Sequence, residues 1–341
     1  MPVDTKEINS LYGKCTLCPN NCGVDRTRGE TGVCGETSRV RISWAGLHRG
    51  EEPPVSGKNG SGMVFFTGCS LHCRYCQNYQ ISEKCGTGYE VTVSELSEIM
   101  ISLQKSGAAT LNLVTGTHFI PSVIAALDIA KANGFSLPVV WNSSGYENVS
   151  ALRRIDRYVD LYLLDVKTLD KAVAGKFCGL EKYSEAILPV VQFLKRRYPK
   201  TTLEEGNLKG VLVRHLVFPG CFDATMNFLE WYADNFKDCF FLSLMTQFVP
   251  PKKKIQTEKD SGETGVLSPE SAPEGTECGF PPVSKEEYER LLDAADKLGA
   301  DGFIQEPDGE DALWLPDFTR DNPFPKNFAD VLPYFLEIKR R

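Results

Sequence analysis

The chain has 341 residues, 42% of them hydrophobic and 24% charged, a composition that supports a packed core and excludes global disorder. Its 38 Lys and Arg against 45 Asp and Glu leave a formal charge of −7, and no basic stripe runs among aromatics, which disfavours a nucleic-acid substrate. No apolar run reaches the roughly 20 residues that span a bilayer. The first eleven residues carry acids and no signal-peptide core, so a cytoplasmic location is expected, with the twelve cysteines as metal ligands or reduced thiols.

Residues 1–57 are rich in Cys, Gly and Pro, show little hydrophobic periodicity, and are expected to form a small metal-stapled module. Within it Cys15, Cys18, Cys22 and Cys34 form CxxCxxxC with a fourth cysteine beyond a Gly-rich stretch. Four thiolates so spaced can fully ligate zinc or a second [4Fe–4S] cluster, and spacing alone does not choose. A disulfide pair is the bland alternative.

From 58 to 306 strand-like and helix-like segments alternate. Met63–Thr67 is a short apolar strand closed by Gly68, and Val93–Gln104 repeats apolar residues at helical spacing. Thr110–Val114 is a strand, Pro121–Ala132 a helix, and Pro138–Trp141 a strand ending in Asn142-Ser143-Ser144-Gly145. Leu161–Val166 is a strand followed by helices near Lys171–Phe177 and Ser184–Arg197. Gly210–Phe218 and Cys239–Met245 are strands separated by the helix Ala224–Asn235. Residues 249–283, rich in Pro, Gly, Ser and charge, are expected to be a long mobile loop inserted in this unit. Lys285–Leu298 is a helix and Gly302–Gln305 a last strand; residues 307–341 form a tail with Trp314, Phe318 and Phe324.

This alternation predicts an α/β fold with right-handed crossovers and a parallel sheet. Six or so repeats predict a partial (βα)6 TIM-like barrel, with the site on loops at the C-terminal ends of the strands.

Directly after the first such strand, Cys69, Cys73 and Cys76 form CxxxCxxC. Three thiolates on one tight loop can grip three irons of a cubane and leave the fourth iron open to a small molecule. A structural zinc site, with His72 inside the loop as fourth ligand, and three buried reduced cysteines are the alternatives. Cys85, Cys178, Cys221, Cys239 and Cys278 stand alone and are expected to be small core hydrophobes or, for Cys278, exposed.

This loop, with the aromatic Tyr75 before its last cysteine, resembles the radical S-adenosylmethionine (SAM) superfamily. The wider runs CTLCPNNCGVDRTRGETGVCG, GEEPPVSG, SGMVFFTGCSLHCRYCQNYQIS, NLVTGTH, YLLDVK and VRHLVFPG resemble pyruvate formate-lyase activating enzyme-like proteins. The resemblance implies a [4Fe–4S] cluster on Cys69, Cys73 and Cys76, SAM on its open iron, and a 5′-deoxyadenosyl radical that abstracts hydrogen from a substrate. It also implies an electron donor of flavodoxin or ferredoxin type and possible activation of a glycyl radical enzyme. Modification of a small molecule or of another protein side chain is the second reading, and a non-catalytic iron–sulfur or zinc scaffold the third.

The resemblance places further cofactor contacts at strand ends, on Tyr75, Thr115, Gly116, Thr117, Asn142, Asp165 and Lys167. Relatives carry a carboxylate-bearing segment where this chain has Thr115, Gly116 and Thr117, so hydroxyls or carbonyls must replace it. Asn142 and Ser143 serve equally as a turn. Asp165 and Lys167 share one strand face by their i, i+2 spacing and are expected to pair, with a plain structural ion pair as the alternative. Arg214 and His215 must point to opposite faces of their strand, and Gln247 stands where relatives have a His.

Overall fold

The computed structural model describes residues 10–83, 88–204, 206–249, 283–305 and 315–341. Trp314, Cys85, Cys278 and nearly all of the expected 249–283 loop lie outside the described residues.

Eleven strands join in one sheet: β1 (Val40–His48), β2 (Ser61–Phe66), β3 (Tyr89–Val91), β4 (Leu111–Val114), β5 (Val139–Ser143), β6 (Leu161–Asp165), β7 (Thr202–Glu204), β8 (Asn207–Leu216), β9 (Phe241–Met245), β10 (Gly302–Gln305) and β11 (Ala329–Val331). β2, β4, β5, β6, β8, β9 and β10 run parallel in that order. Their crossovers carry α1 (Val93–Lys105), α2 (Ile120–Ala132), α3 (Val149–Ile155), α4 (Tyr183–Arg197), α5 (Phe222–Asn235) and α6 (Lys285–Leu298). β1 lies antiparallel on β2, and β11 and β3 lie antiparallel on β1; α7 (Pro333–Lys339) follows β11. The strand path ends at β10 and β11, so the molecule is the mostly parallel α/β half-barrel expected, with a Cys-rich segment before it.

Local chemistry explains the elements. A capping box of Thr92 and Glu95 opens α1, and one of Ser284 and Glu287 opens α6, which Gly299 ends in the left-handed conformation. α2 is buried on most sides, as a crossover between sheet and neighbouring helices must be.

Two sequence expectations are corrected. The region before residue 57 was expected to lack regular periodicity, yet Val40–His48 is a nine-residue strand with only Arg41 and Leu47 short of full burial. The polar Arg41 and Ser43 and the residue Gly46 interrupt its apolar run, which hides it from a periodicity reading. The helix near Lys171–Phe177 is a single α-turn, Lys171–Val173, that widens into a π-turn over Ala174–Cys178.

The core has two parts. The larger lies between sheet and helices, with Trp141, Phe119, Tyr162 and Phe228 buried in it. The smaller lies inside the barrel, where Val55 from the short helix Pro53–Ser56 packs on Val140, Leu161, Leu163, Leu208 and Leu212. That helix closes the barrel floor, and Thr110 donates through Oγ1 to the Val55 carbonyl at 3.0 Å.

Candidate active site

Above this floor, at the C-terminal ends of the parallel strands, lies a cavity of about 770 Å³. Cys69, Cys73, Tyr75 and Cys76 form one part of its wall; Thr115, Asn142, Asp165, Lys167, Arg214 and Gln247 come from successive strand ends. Met63, Phe65, Leu216, Met245 and Phe324 add apolar surface.

The loop after β2 is folded by its backbone. Gly68 adopts φ +75°, and a Cβ there would meet the Cys34 carbonyl at 2.6 Å, so only glycine fits. His72 is also left-handed, at φ 55°. The turn delivers donors to sulfur: Leu71 N–H reaches Cys69 Sγ at 3.4 Å, and Ser82 Oγ reaches Cys76 Sγ at 3.6 Å. Burial and then the neighbouring thiols of Cys73 and Cys76 push the Cys69 thiol up to about 12. A hydrogen bond with Cys178, burial and the Cys178 charge raise Cys73, and burial raises Cys76. Three half-buried thiolates this close together are unfavourable unless a positively charged core neutralises them, which is what a metal centre does. Among the described residues no three His, Cys, Asp or Glu side chains converge on a single-ion site. A cubane instead takes each thiolate on a different iron. The Tyr75 hydroxyl, buried beside this loop, has no hydrogen-bond partner among the described residues, so the wall presents an unsatisfied polar group.

Opposite the loop, the expected pair forms: Lys167 Nζ lies 2.5 Å from Asp165 Oδ2, with side chains 15% and 20% exposed. Burial alone would lower the Lys167 ammonium, but the Asp165 carboxylate together with the Cys73 and Cys178 sulfurs raises it. The Tyr183 hydroxyl accepts from Lys167 N–H at 2.9 Å and sits 2.8 Å from the Asp165 carbonyl, fixing the strand end that carries the pair.

Deeper still lies a charge cluster that sequence reasoning missed. Arg214 of β8 reaches Glu51 through Nη2 and Glu52 through Nη2 and, at 2.9 Å, through Nε. Burial opposes charging of Glu52, but Arg214 more than offsets it and holds the carboxyl below its ordinary range. Two adjacent acids between Gly50 and Pro53-Pro54 were the only sequence signal; nothing local connects them to a strand about 160 residues away.

The remaining expected residues divide. Thr115 lines the cavity at φ 57°. Gly116 and Thr117 are not among the lining residues: Gly116 packs on Trp141 and Phe66, and Thr117 Oγ1 donates to the buried Glu147 at 2.8 Å. Arg214 and His215 point to opposite faces as expected. His215 stacks on Phe228 with ring centroids 3.9 Å apart, and contacts the Val166 carbonyl and Thr225 Oγ1.

The four N-terminal cysteines do not line this cavity but sit behind its thiol loop. Cys15 and Cys34 are buried and Cys18 and Cys22 half-buried. Burial, and the nearby Cys15, Cys34 and Cys22, push Cys18 up to about 12 despite the Asn20 amide that favours its thiolate.

Comparison with known proteins gives this geometry a family. Residues 63–232 match the family described as Radical SAM superfamily. An uncharacterised protein of Methanocaldococcus jannaschii is 27% identical over 262 residues, covering 72% of this chain and 68% of its own length. The pyruvate formate-lyase-activating enzyme of Clostridium pasteurianum is 28% identical over 185 residues, covering 51% of this chain and 68% of that enzyme. Among solved structures, Streptococcus suis SuiB aligns with a TM-score of 0.43 at 10% identity over 70% of this chain, which spans 47% of SuiB. The matched segment begins in β2 and takes in the thiol loop and the strand ends facing it; this chain belongs to the radical SAM superfamily.

Proposed function

We propose that Cys69, Cys73 and Cys76 hold a [4Fe–4S] cluster, and that the chain cleaves SAM reductively to abstract hydrogen from a substrate. The carrying observation is the juxtaposition of three half-buried thiols on one loop with the Asp165–Lys167 pair across a single cavity. When bound and reduced, the cluster and its SAM supply the electron transfer that yields a 5′-deoxyadenosyl radical.

The protein's own residues bind, orient and exclude water. The carboxylate of Asp165 and the ammonium of Lys167 present hydrogen-bonding groups of opposite charge toward the zwitterionic amino-acid part of SAM, and Asn142 and Thr115 add neutral ones. Tyr75 offers a buried hydroxyl and a ring in T-shaped contact with Phe218, their centroids 4.9 Å apart. Met63, Phe65, Met245 and Phe324 keep the wall apolar, which protects a radical from side reactions.

Anaerobic protein reconstituted with iron and sulfide, then given dithionite and SAM, is expected to release 5′-deoxyadenosine, and Cys73→Ala to release none. No product from the cluster-loaded wild type sinks the reading. In the cell the electron comes from a flavodoxin- or ferredoxin-type donor on this reading. For the substrate, similarity to the Clostridium enzyme favours a glycyl radical enzyme. A glycyl radical signal on such a partner after incubation with the loaded protein tests it; SAM cleavage with no signal on the partner selects a different substrate.

A further inference from the structure

We infer that Cys15, Cys18, Cys22 and Cys34 form a second, fully thiolate-ligated metal centre, and that this centre buttresses the loop carrying Cys69, Cys73 and Cys76. The first half stands alone; the second rests on the reading of that loop as a cluster site.

Between residues 15 and 39 the regular structure is one 3-10 turn, Arg26–Arg28. With so little regular structure the segment leans on turns and side-chain links, and with no disulfide among its cysteines a shared metal is the link their thiols can supply. The backbone is already shaped for thiolates. Cys15 N–H donates to the Val24 carbonyl at 3.0 Å and Gly23 N–H to the Cys15 carbonyl at 2.9 Å, which folds Cys15 back toward Cys22. Val33 N–H points at Cys22 Sγ at 3.3 Å, and a Cβ on Gly32 would lie 2.8 Å from the same sulfur, so the glycine is what lets the chain approach it. Backbone amides of Asn20 and Glu36 likewise reach the sulfurs of Cys18 and Cys34. Amides aimed at sulfur stabilise a thiolate far more than a neutral thiol, whose sulfur is only a weak acceptor. No three of the sulfurs yet share one ion's coordination sphere. The centre therefore forms by rotation of side chains already gathered, or around a core wider than one ion. Zinc and a four-iron cluster share this ligand chemistry.

The same segment grips the cluster loop from behind. Asn20 Nδ2 donates to the Ser70 carbonyl at 2.7 Å, and Thr67 Oγ1 to Glu36 Oε1 at 2.7 Å. His72 Nε2 lies 2.8 Å from the Val33 carbonyl, one residue before Cys34. Each bridge joins a neighbour of an N-terminal cysteine to a neighbour of a cluster cysteine.

The test measures iron, sulfide and zinc on anaerobically purified full-length protein, wild type beside Cys73→Ala and Cys22→Ser. It adds the EPR spectrum of the reduced protein with and without SAM. Cys73→Ala is expected to lose about four irons and keep a second complement, about four irons or about one zinc, which names the metal. Cys22→Ser is expected to lose that second complement and most of the SAM-dependent spectral change. If Cys73→Ala carries no metal, the second centre is overturned; if Cys22→Ser keeps the full SAM response, the buttress is. Asn20→Ala keeps all seven thiols should Cys22→Ser not fold. It is expected to retain both metal complements with a weakened SAM response, and an unchanged response again overturns the buttress. A wild type with no SAM response strikes at the Cys69 reading alone, since the second complement is still countable.

Discussion

Arg26 shows how much one side chain decides. It is fully buried, lies 4.8 Å from the centre of the Tyr12 ring and 5.5 Å from that of Phe119, and donates to the carbonyls of Glu36, Thr37 and His118. Two of those carbonyls belong to the Cys-rich segment and the third to the turn before α2, so the guanidinium rivets one to the other. Arg26→Ala strands two buried acceptors, Glu36 and His118, and bares a part-buried third, Thr37; each unsatisfied buried group costs about 1–3 kcal/mol, so a loss of about 2 kcal/mol or more in denaturant unfolding is expected. A loss below about 1 kcal/mol contradicts the rivet. Arg26→Lys is expected to rescue little, since an ammonium lacks the fork.

His215 makes a residue-scale prediction in pH. Its Nδ1 faces the Val166 carbonyl, which can only accept, so Nδ1 carries the proton and Nε2 accepts from Thr225. Burial, against a smaller opposing push from the Val166 bond, lowers its pKa from 6.5 to about 4. With the folded value below the unfolded one, the unfolded chain takes up the proton first. The stability this histidine contributes is thus full above 6.5 and falls as pH drops toward 4, by up to about 1.4 kcal/mol per pH unit. Unfolding free energies measured between those pH values are expected to show a shallower slope in His215→Gln than in wild type; equal slopes contradict it.

At the scale of elements, the segment after β1 is held by charge rather than by regular structure. Arg214 reaches from β8 to Glu51 and Glu52, all three side chains about a tenth exposed, and so pins the floor helix under the cavity. Removing the cation leaves two buried carboxylates without a counter-charge, which costs about 3–5 kcal/mol. Arg214→Met is therefore expected to unfold at clearly lower denaturant, and Arg214→Met with Glu51→Gln and Glu52→Gln to recover part of that loss. A triple variant no more stable than the single one argues against charge as the cause. Gly68→Ala belongs here too: its φ and the nearby Cys34 carbonyl mean the whole loop must shift. Cluster retention after reconstitution, read as iron per chain, is expected to fall while Gly13→Ala, which meets nothing within 4 Å, leaves it unchanged.

At the scale of the molecule, the parallel strands and their helices were legible because each buries an apolar face set by residues a few positions apart. α6 was read at its observed bounds, and the strands from β2 to β10 within a few residues. The short strands were not: β3, β7 and β11 have three residues each, too few to show a period. β11 and α7 matter all the same, since they cover the edge of β1 with Leu332, Phe335 and Ile338 buried. Deleting 329–341 strips that cover; at about 1.5–3 kcal/mol per buried side chain, a loss of about 5 kcal/mol is expected, with aggregation through the bared edge. Light scattering and unfolding midpoints identical to the full chain contradict it.

The sequence by itself determined the thiol loop, the Asp165–Lys167 pair, the opposed faces of Arg214 and His215 and the order of crossovers, since each depends on spacing within one loop, strand or repeat. Only the tertiary structure decided that Glu51 and Glu52 meet Arg214, that Gly116 and Thr117 stay out of the cavity, and that the N-terminal thiols stand behind the thiol loop after β2. Those outcomes depend on which distant segments a closed core forces together, and chain spacing carries no record of that.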